Sequence, residues 1–405
     1  MNRGDSRLGN ADDDIIDEYV SAKTAMQMLN VNAQTLYAYV SRKGIRSRPV
    51  PGSRQRRYWR SDVEQIQRKE RDPDAAAEAN TKKESGITLI TDHAHFYRGI
   101  KAADLARDQS FEAVAALLWE VDEKECFVDK IPKPPPVWTR LSRLLVDESD
   151  VNRATALFPL LEEANPKSYD LSRLGMARTG AQILRWWAAL TVRAKRPTAE
   201  PLHLFIAREL KLRPAEGVLV RRMLILSADH GFDPCTLAVR EVAKTGVTPW
   251  RAVISGLSAA LGRKSKLADF NSVSRLVSEI INHPDPVSAI VRRLRDSDHL
   301  PGFDSQAYPT ADPRGRALLG FCEEAFGNDV AFKRLKAALQ TVRETKHAEP
   351  NYAFACLFMA EKLKIGRGHS LFHLGRAAGW IAHAIEQYQI GEVKRLRGLY
   401  KGPLP

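Results

Sequence analysis

Between Val40 and Arg71 eleven cations, Arg42, Lys43, Arg46, Arg48, Arg54, Arg56, Arg57, Arg60, Arg68, Lys69 and Arg71, face only Asp62, Glu64 and Glu70. This leaves +8 in a short stretch of a 405-residue chain whose net charge is +13. Guanidinium and ammonium groups at this density neutralise phosphates and release their counterions, so the chemistry on offer is polyanion binding. Just ahead of them, Gln34, Thr35, Tyr37, Ser41 and Arg42 share the polar side of a segment whose Leu36, Tyr39 and Val40 are apolar. These side-chain types reach base edges and phosphates in a major groove. Arg54, Arg56, Arg57 and Tyr58 form a second candidate surface, and double-stranded DNA is the expected partner. Metal chemistry has no comparable footing. Cys126, Cys235, Cys322 and Cys356 lack CxxC spacing, and His369 and His373 stand four apart without a further spaced ligand, so no metal site is expected.

The elements that would position the basic residues follow from local signals. Ser21 is placed to cap a helix over Ala22–Leu29, Asn30-Val31-Asn32 to turn the chain, and Gln34–Arg42 to form a second helix packing on the first through Leu36, Tyr39 and Val40. Pro49, Pro51 and Gly52 break the chain before a basic hairpin over Arg54–Arg60 and a third helix beginning near Ser61. From Tyr19 to Val63 the run resembles the winged helix-turn-helix of the MerR and excisionase families, which implies DNA binding. A solvated basic appendage is the other reading. The expected boundaries are a disordered acidic tail over 1–14, the helix-turn-helix over 15–70 and a polar, alanine-rich linker over 71–84.

From Ser85 onward strand signals are confined to Ile87–Ile90 and Phe96–Tyr97. Apolar residues then recur at three and four positions in segments such as Phe111–Trp119, Thr179–Lys195, Ala215–Asp229, Asp312–Phe326 and Leu371–Tyr388, which predicts an all-α domain of many helices. With 44% hydrophobic and 27% charged residues and no apolar run near the roughly 20 residues that span a bilayer, a membrane protein is not expected. The N-terminus lacks the apolar segment of a signal peptide, so the expected location is cytoplasmic.

Several ordered segments of this region resemble citrate synthases: Tyr97-Arg98-Gly99-Ile100, Ser110-Phe111-Glu112-Ala113, Ala228-Asp229-His230, Asp312-Pro313-Arg314, Glu349-Pro350-Asn351, Gly375-Arg376-Ala377-Ala378-Gly379-Trp380 and Arg395-Leu396-Arg397. The resemblance covers 85–405 and implies that family's large and small helical domains, the small one roughly 265–360. It also implies condensation of an acyl-CoA with oxaloacetate by one aspartate base and two histidines. At the matching positions this chain has Ser265 and Ser305 for the histidines and Ala353 for the aspartate. Alanine cannot accept a proton. General acid–base catalysis is worth roughly 10²–10⁴-fold, so the substitutions imply loss of most condensing activity. His230, Arg314, Arg376 and Arg395 match the dicarboxylate-binding positions, Arg395 reaching across from a partner subunit. They can still hold an anionic metabolite, or be tied up in salt bridges. No tightly bound cofactor is implied; acetyl-CoA or another acyl-CoA is a candidate ligand. Three outcomes stay open: a metabolite-sensing, DNA-binding homodimer, a non-catalytic subunit paired with an intact citrate-synthase-like chain, or an active citrate or 2-methylcitrate synthase with a rearranged site.

Overall fold

The computed structural model describes residues 18–53, 55–71, 84–128, 130–262, 270–296, 299–303, 307–308, 311–346, 348–366 and 368–391. The expected tail over 1–14 and nearly all of the expected linker lie outside them. The chain divides into two compact units, Met1–Glu84 and Ser85–Pro405.

In the first unit β1 (Tyr19–Ser21), α1 (Ala22–Leu29), α2 (Ala33–Arg42), β2 (Ser47–Pro49), β3 (Arg56–Trp59) and α3 (Arg60–Arg71) follow one another. Ser21 Oγ accepts from the Thr24 amide at 3.1 Å and starts α1, which ends where Asn30 turns left-handed at φ 52°. Asn32 Oδ1 then accepts from the Thr35 amide at 2.9 Å and starts α2. A tight connection follows because the last carbonyls of α1, Met26 and Gln27, accept from the Val31 and Asn30 amides at 3.0 and 3.3 Å, next to the residue that caps α2. The strands form an antiparallel sheet in the order β1-β3-β2, with Val20 opposite Tyr58 and Arg48 opposite Arg57. Strand β1 was not expected; its pairing joins residues far apart in sequence, which local pattern does not reveal. Val20, Ala25, Leu29, Leu36, Ile45, Tyr58, Val63 and Ile66 make this unit's own core.

The second unit opens with a small antiparallel sheet, β4 (Thr88–Ile90), β5 (His95–Tyr97) and β6 (Ile100–Lys101), and is otherwise helical. The helices are α4 (Ala102–Asp108), α5 (Phe111–Trp119), α6 (Glu123–Cys126), α7 (Trp138–Leu144), α8 (Asp150–Glu163), α9 (Arg173–Thr191), α10 (Leu202–Glu209), α11 (Pro214–Ser227), α12 (Pro234–Ala243), α13 (Pro249–Ala260), α14 (Phe270–Asn282), α15 (Pro286–Asp296), α16 (Pro313–Phe326), α17 (Val330–Lys346), α18 (Tyr352–Lys362) and α19 (Gly368–Ile390). The molecule is all-α. Helices α4, α6, α7, α10 and α15 were not among the expected ones; the first four have at most eight residues, too few for an apolar stripe to declare itself. Among the described residues no helix is long and apolar enough to cross a membrane.

Helix α19 is the axis of this unit, buried along most of its length and packed against α9, α11, α12 and α13. Trp119, Trp187 and Trp250 are fully buried around it, as is its own Trp380, and the Trp119 indole donates to the Ala378 carbonyl at 2.9 Å. Its approach to the end of α11 depends on two glycines one turn apart. A Cβ on Gly375 would lie 2.6 Å from Ser227 Cβ, and one on Gly379 2.4 Å from the Ala228 carbonyl oxygen. The Gly379 amide instead donates to that carbonyl at 2.8 Å, which sets Arg376 against residues 227–233.

Candidate functional site

Four separate parts of the second unit converge where α11 ends. Strand β5 brings His95 and Tyr97, the turn after α11 brings Asp229 and His230, the start of α16 brings Asp312 and Arg314, and α19 brings Arg376 and His383. Asp312 caps α16 by accepting from the Arg314 amide at 3.0 Å, and its carboxylate then receives Arg314 Nε at 3.1 Å and Nη2 at 2.8 Å. Both side chains are buried. Burial opposes ionisation of Asp312, but the charge and hydrogen bonds of Arg314 outweigh it and hold the carboxyl below its usual range.

Arg376 is buried and also engaged. Nε donates to the Ser227 carbonyl at 3.1 Å, and Nη1 to Asp233 Oδ2 at 2.9 Å. Asp233 caps α12, accepting from the Thr236 amide at 2.8 Å. Behind Arg376, the fully buried Asp229 faces His383 Nε2 at 3.4 Å. His383 Nδ1 contacts Arg240 Nη1 at 3.1 Å, and Arg240 pairs with Glu386 at 2.5 Å. Glu386 accepts from the Gly86 amide at 2.9 Å, which ties the start of the unit to α19.

His95 is buried, its Nε2 3.0 Å from the Asp229 carbonyl and its Nδ1 2.9 Å from the Tyr308 hydroxyl. A carbonyl only accepts, so Nε2 carries the proton and Tyr308 donates to Nδ1. Burial, with the nearby charge of Arg314, pushes the His95 pKa down to about 3, which keeps that ring neutral. His230 stacks on His95 with ring centroids 5.7 Å apart. Burial of its ring and the charges of Arg314 and Arg376 hold it well below the usual histidine range. Among the described residues His230 Nε2 and Arg314 Nη1 are buried without a hydrogen-bond partner. Buried polar atoms are rarely left so. Asp312 also lines a cavity of about 280 Å³ beside Arg343 and Glu349, which pair at 2.6 Å.

Of the candidate residues, His230, Arg314 and Arg376 thus lie in one cluster. Ala353 sits partly buried in the first turn of α18, after Asn351 has capped it. Ser265, Ser305 and Arg395 lie outside the described residues. The cluster adds His95, Tyr308, Asp233 and His383, to which sequence reasoning gave no role in the site. Nothing local marks His95 or Asp233, since one is a strand residue and the other a helix cap.

In the first unit Gln34, Tyr37, Ser41 and Arg42 are exposed along α2 and Thr35 is partly exposed, while Arg56 and Arg57 are exposed on β3. Arg54 lies outside the described residues. Tyr58 is a correction: it is 2% exposed and belongs to the core, because its strand face covers α1 and α3. It stands beneath Tyr37, with which it interacts. Arg46 is held by Asp62 through contacts of 2.8 and 3.0 Å, and Arg48 lies 3.9 Å over the Tyr19 ring.

Comparison with known proteins places these features in context. The family described as "Citrate synthase, C-terminal domain" matches residues 77–397. A putative citrate synthase 2 of Mycobacterium tuberculosis is 29% identical over 191 residues, 45% of this chain and 50% of that protein, so the chain spans about half the length of that curated relative. A citrate synthase of Haloferax volcanii is 25% identical over 342 residues, 76% of this chain and 89% of that one. Among solved structures, the Thermoplasma acidophilum citrate synthase, described as a ternary complex with carboxymethyl coenzyme A and oxaloacetate, superposes with a TM-score of 0.66 at 19% identity. The match covers 80% of this chain and 94% of that one. Citrate synthase from Thermotoga maritima gives 0.64 at 22% identity, covering 80% and 95%. At such identities the structural likeness is one of fold.

Proposed function

The chain belongs to the citrate synthase family, and from that premise we propose that it binds a carboxylate metabolite without condensing it efficiently and carries a DNA-binding winged helix-turn-helix at its N-terminus. The observation that carries the metabolite reading is the pair of unpartnered buried nitrogens, His230 Nε2 and Arg314 Nη1, beside Arg376. The loss of catalysis rests on Ala353, where a proton-accepting aspartate is expected, and on Ser265 and Ser305 in place of two imidazoles. A hydroxyl can donate a hydrogen bond, but neither it nor a methyl group takes up a proton near neutral pH.

The DNA reading is supported by the exposed polar face of α2, the paired caps that hold α1 and α2 close together and the exposed arginines of β3. The protein then acts as a regulator whose DNA binding answers to a metabolite. A twofold assembly suits the paired half-sites that such modules read, with Arg395 lent across the interface. A mixed assembly with an intact citrate-synthase-like chain is the variant of this reading, and co-purification distinguishes it. The names of the relatives favour a second reading, an active citrate or 2-methylcitrate synthase. Release of free thiol from acetyl-CoA or propionyl-CoA with oxaloacetate separates the two: under the first reading pure protein gives no turnover above background, yet gives a salt-sensitive mobility shift with DNA from its own promoter region. Turnover at a rate ordinary for an enzyme, roughly 1–10³ per second, overturns it.

A further inference from the structure

We infer that the chain carries a second small-molecule site, a pocket between α16 and α17 that takes a short-chain aliphatic carboxylic acid, with its carboxylate on Arg316 and its hydrocarbon tail against Leu319, Phe332, Leu335 and Leu339. A cavity of about 280 Å³ lies between these residues. Ligand pockets run from roughly 300 to 1,000 Å³, so this one suits a small occupant. Its walls follow from helical spacing. Arg316, Leu319 and Gly320 stand at three- and four-residue intervals on one face of α16, and Phe332, Leu335 and Leu339 do so on α17. Gly320 supplies the room, since a Cβ there would meet nothing within 4 Å. Hydrocarbon walls offer water few hydrogen-bond partners, so transfer of an apolar tail into the pocket is favoured.

The charges already paired around the pocket decide its head group. Lys336 Nζ lies 2.6 Å from Glu323 Oε1, and Arg343 holds Glu349 through Nε at 2.6 Å and Nη2 at 3.0 Å. Asp312, which also lines the pocket, is clasped by Arg314. Each carboxylate of the lining therefore has its own cation, while the Arg316 guanidinium has no hydrogen-bond or ion-pair partner among the described residues. The helix does not account for it, because a cation at the start of α16 opposes the helix dipole. A guanidinium fork receives a carboxylate through two parallel hydrogen bonds. Arg314 and Arg316 leave α16 roughly 200° apart around its axis, so the pocket lies across the helix from the cluster of His230, Arg314 and Arg376. The inference does not depend on what that cluster binds.

Hexanoate is titrated into the full-length protein by calorimetry at fixed ionic strength, beside acetate, which has the head without the tail, and 1-hexanol, which has the tail without the charge. Hexanoate is expected to bind on the order of tenfold or more tightly than either. Arg316→Gln, which removes the charge and keeps a side chain of similar reach, is expected to weaken hexanoate by on the order of tenfold. Gly320→Leu puts a side chain into the open space and favours the helix, so its melting temperature should not fall below that of the wild type while hexanoate binding is lost. Arg376→Ala, which alters the cluster, should leave hexanoate affinity within about twofold. Hexanoate that binds no more tightly than acetate or 1-hexanol, that binds equally well to Arg316→Gln or Gly320→Leu, or that is lost with Arg376→Ala overturns the inference and leaves the reading of the cluster standing. Should Gly320→Leu melt below the wild type, Gly320→Met repeats the comparison with a more flexible filler.

Discussion

Asp312 and Arg314 are two residues apart in sequence and form a buried pair whose halves differ in what their loss does. Arg314→Ala leaves a buried carboxylate without its cation, so we expect a loss of stability of about 3–5 kcal/mol in urea unfolding, together with loss of ligand binding. Arg376→Ala leaves Asp233 at a partly exposed edge and should cost less stability while abolishing the ligand-induced rise in melting temperature. The histidines give the site a pH dependence with a definite sign. His95 is pushed from the ordinary 6.5 down to about 3, and His373, buried between Trp187 and Trp380, is likewise pushed down to about 3. The unfolded chain therefore binds more protons than the folded one between these values. Stability present above pH 6.5 falls as pH drops toward 3, with the depressed carboxylates Asp229 and Asp312 adding to the loss below their ordinary 3.8. Melting temperature measured from pH 7.5 to 5 checks this, and no decline over that range would contradict it.

Among the elements, the crossing of α19 over α11 is the most constrained. Gly379→Ala would force a methyl against the Ala228 carbonyl and Asp229, so destabilisation of about 1–3 kcal/mol is expected, with weakened ligand binding because Arg376 shares that turn of helix. In the first unit α2 and the β2–β3 hairpin should separate by experiment. Gln34→Ala and Tyr37→Ala should alter which DNA sequence is preferred. Arg48→Ala and Arg56→Ala should weaken binding to all sequences and each reduce the salt slope of affinity by about 1, read from mobility shifts over a range of salt. Helix α1 was legible because Ser21 is a strong local start signal, whereas Asn32, read as part of the turn, caps α2. Strand β1 and the buried place of Tyr58 were not, because both depend on a partner strand more than thirty residues away.

For the whole molecule, each unit has its own apolar core, with Leu36, Tyr58 and Val63 in one and Trp187, Trp250 and Trp380 in the other. Residues 85–405 produced alone should therefore fold cooperatively and keep the ligand-induced thermal shift while losing any mobility shift with DNA. Loss of both would contradict the division of labour proposed here. Where charge resides at this scale was readable in advance, since most of the excess of Lys and Arg lies in one short stretch.

What the sequence determined by itself was the helical class, the family resemblance of 85–405 and the set of side chains available for chemistry, because periodicity, caps and ordered motifs are local properties of a chain. Only the tertiary structure decided which of those side chains meet. Asp233 and His95 carried no local signal, yet one matches the charge of Arg376 and the other lies stacked on His230. The state of a buried charge depends on its neighbours in space, and those neighbours come from segments more than a hundred residues apart.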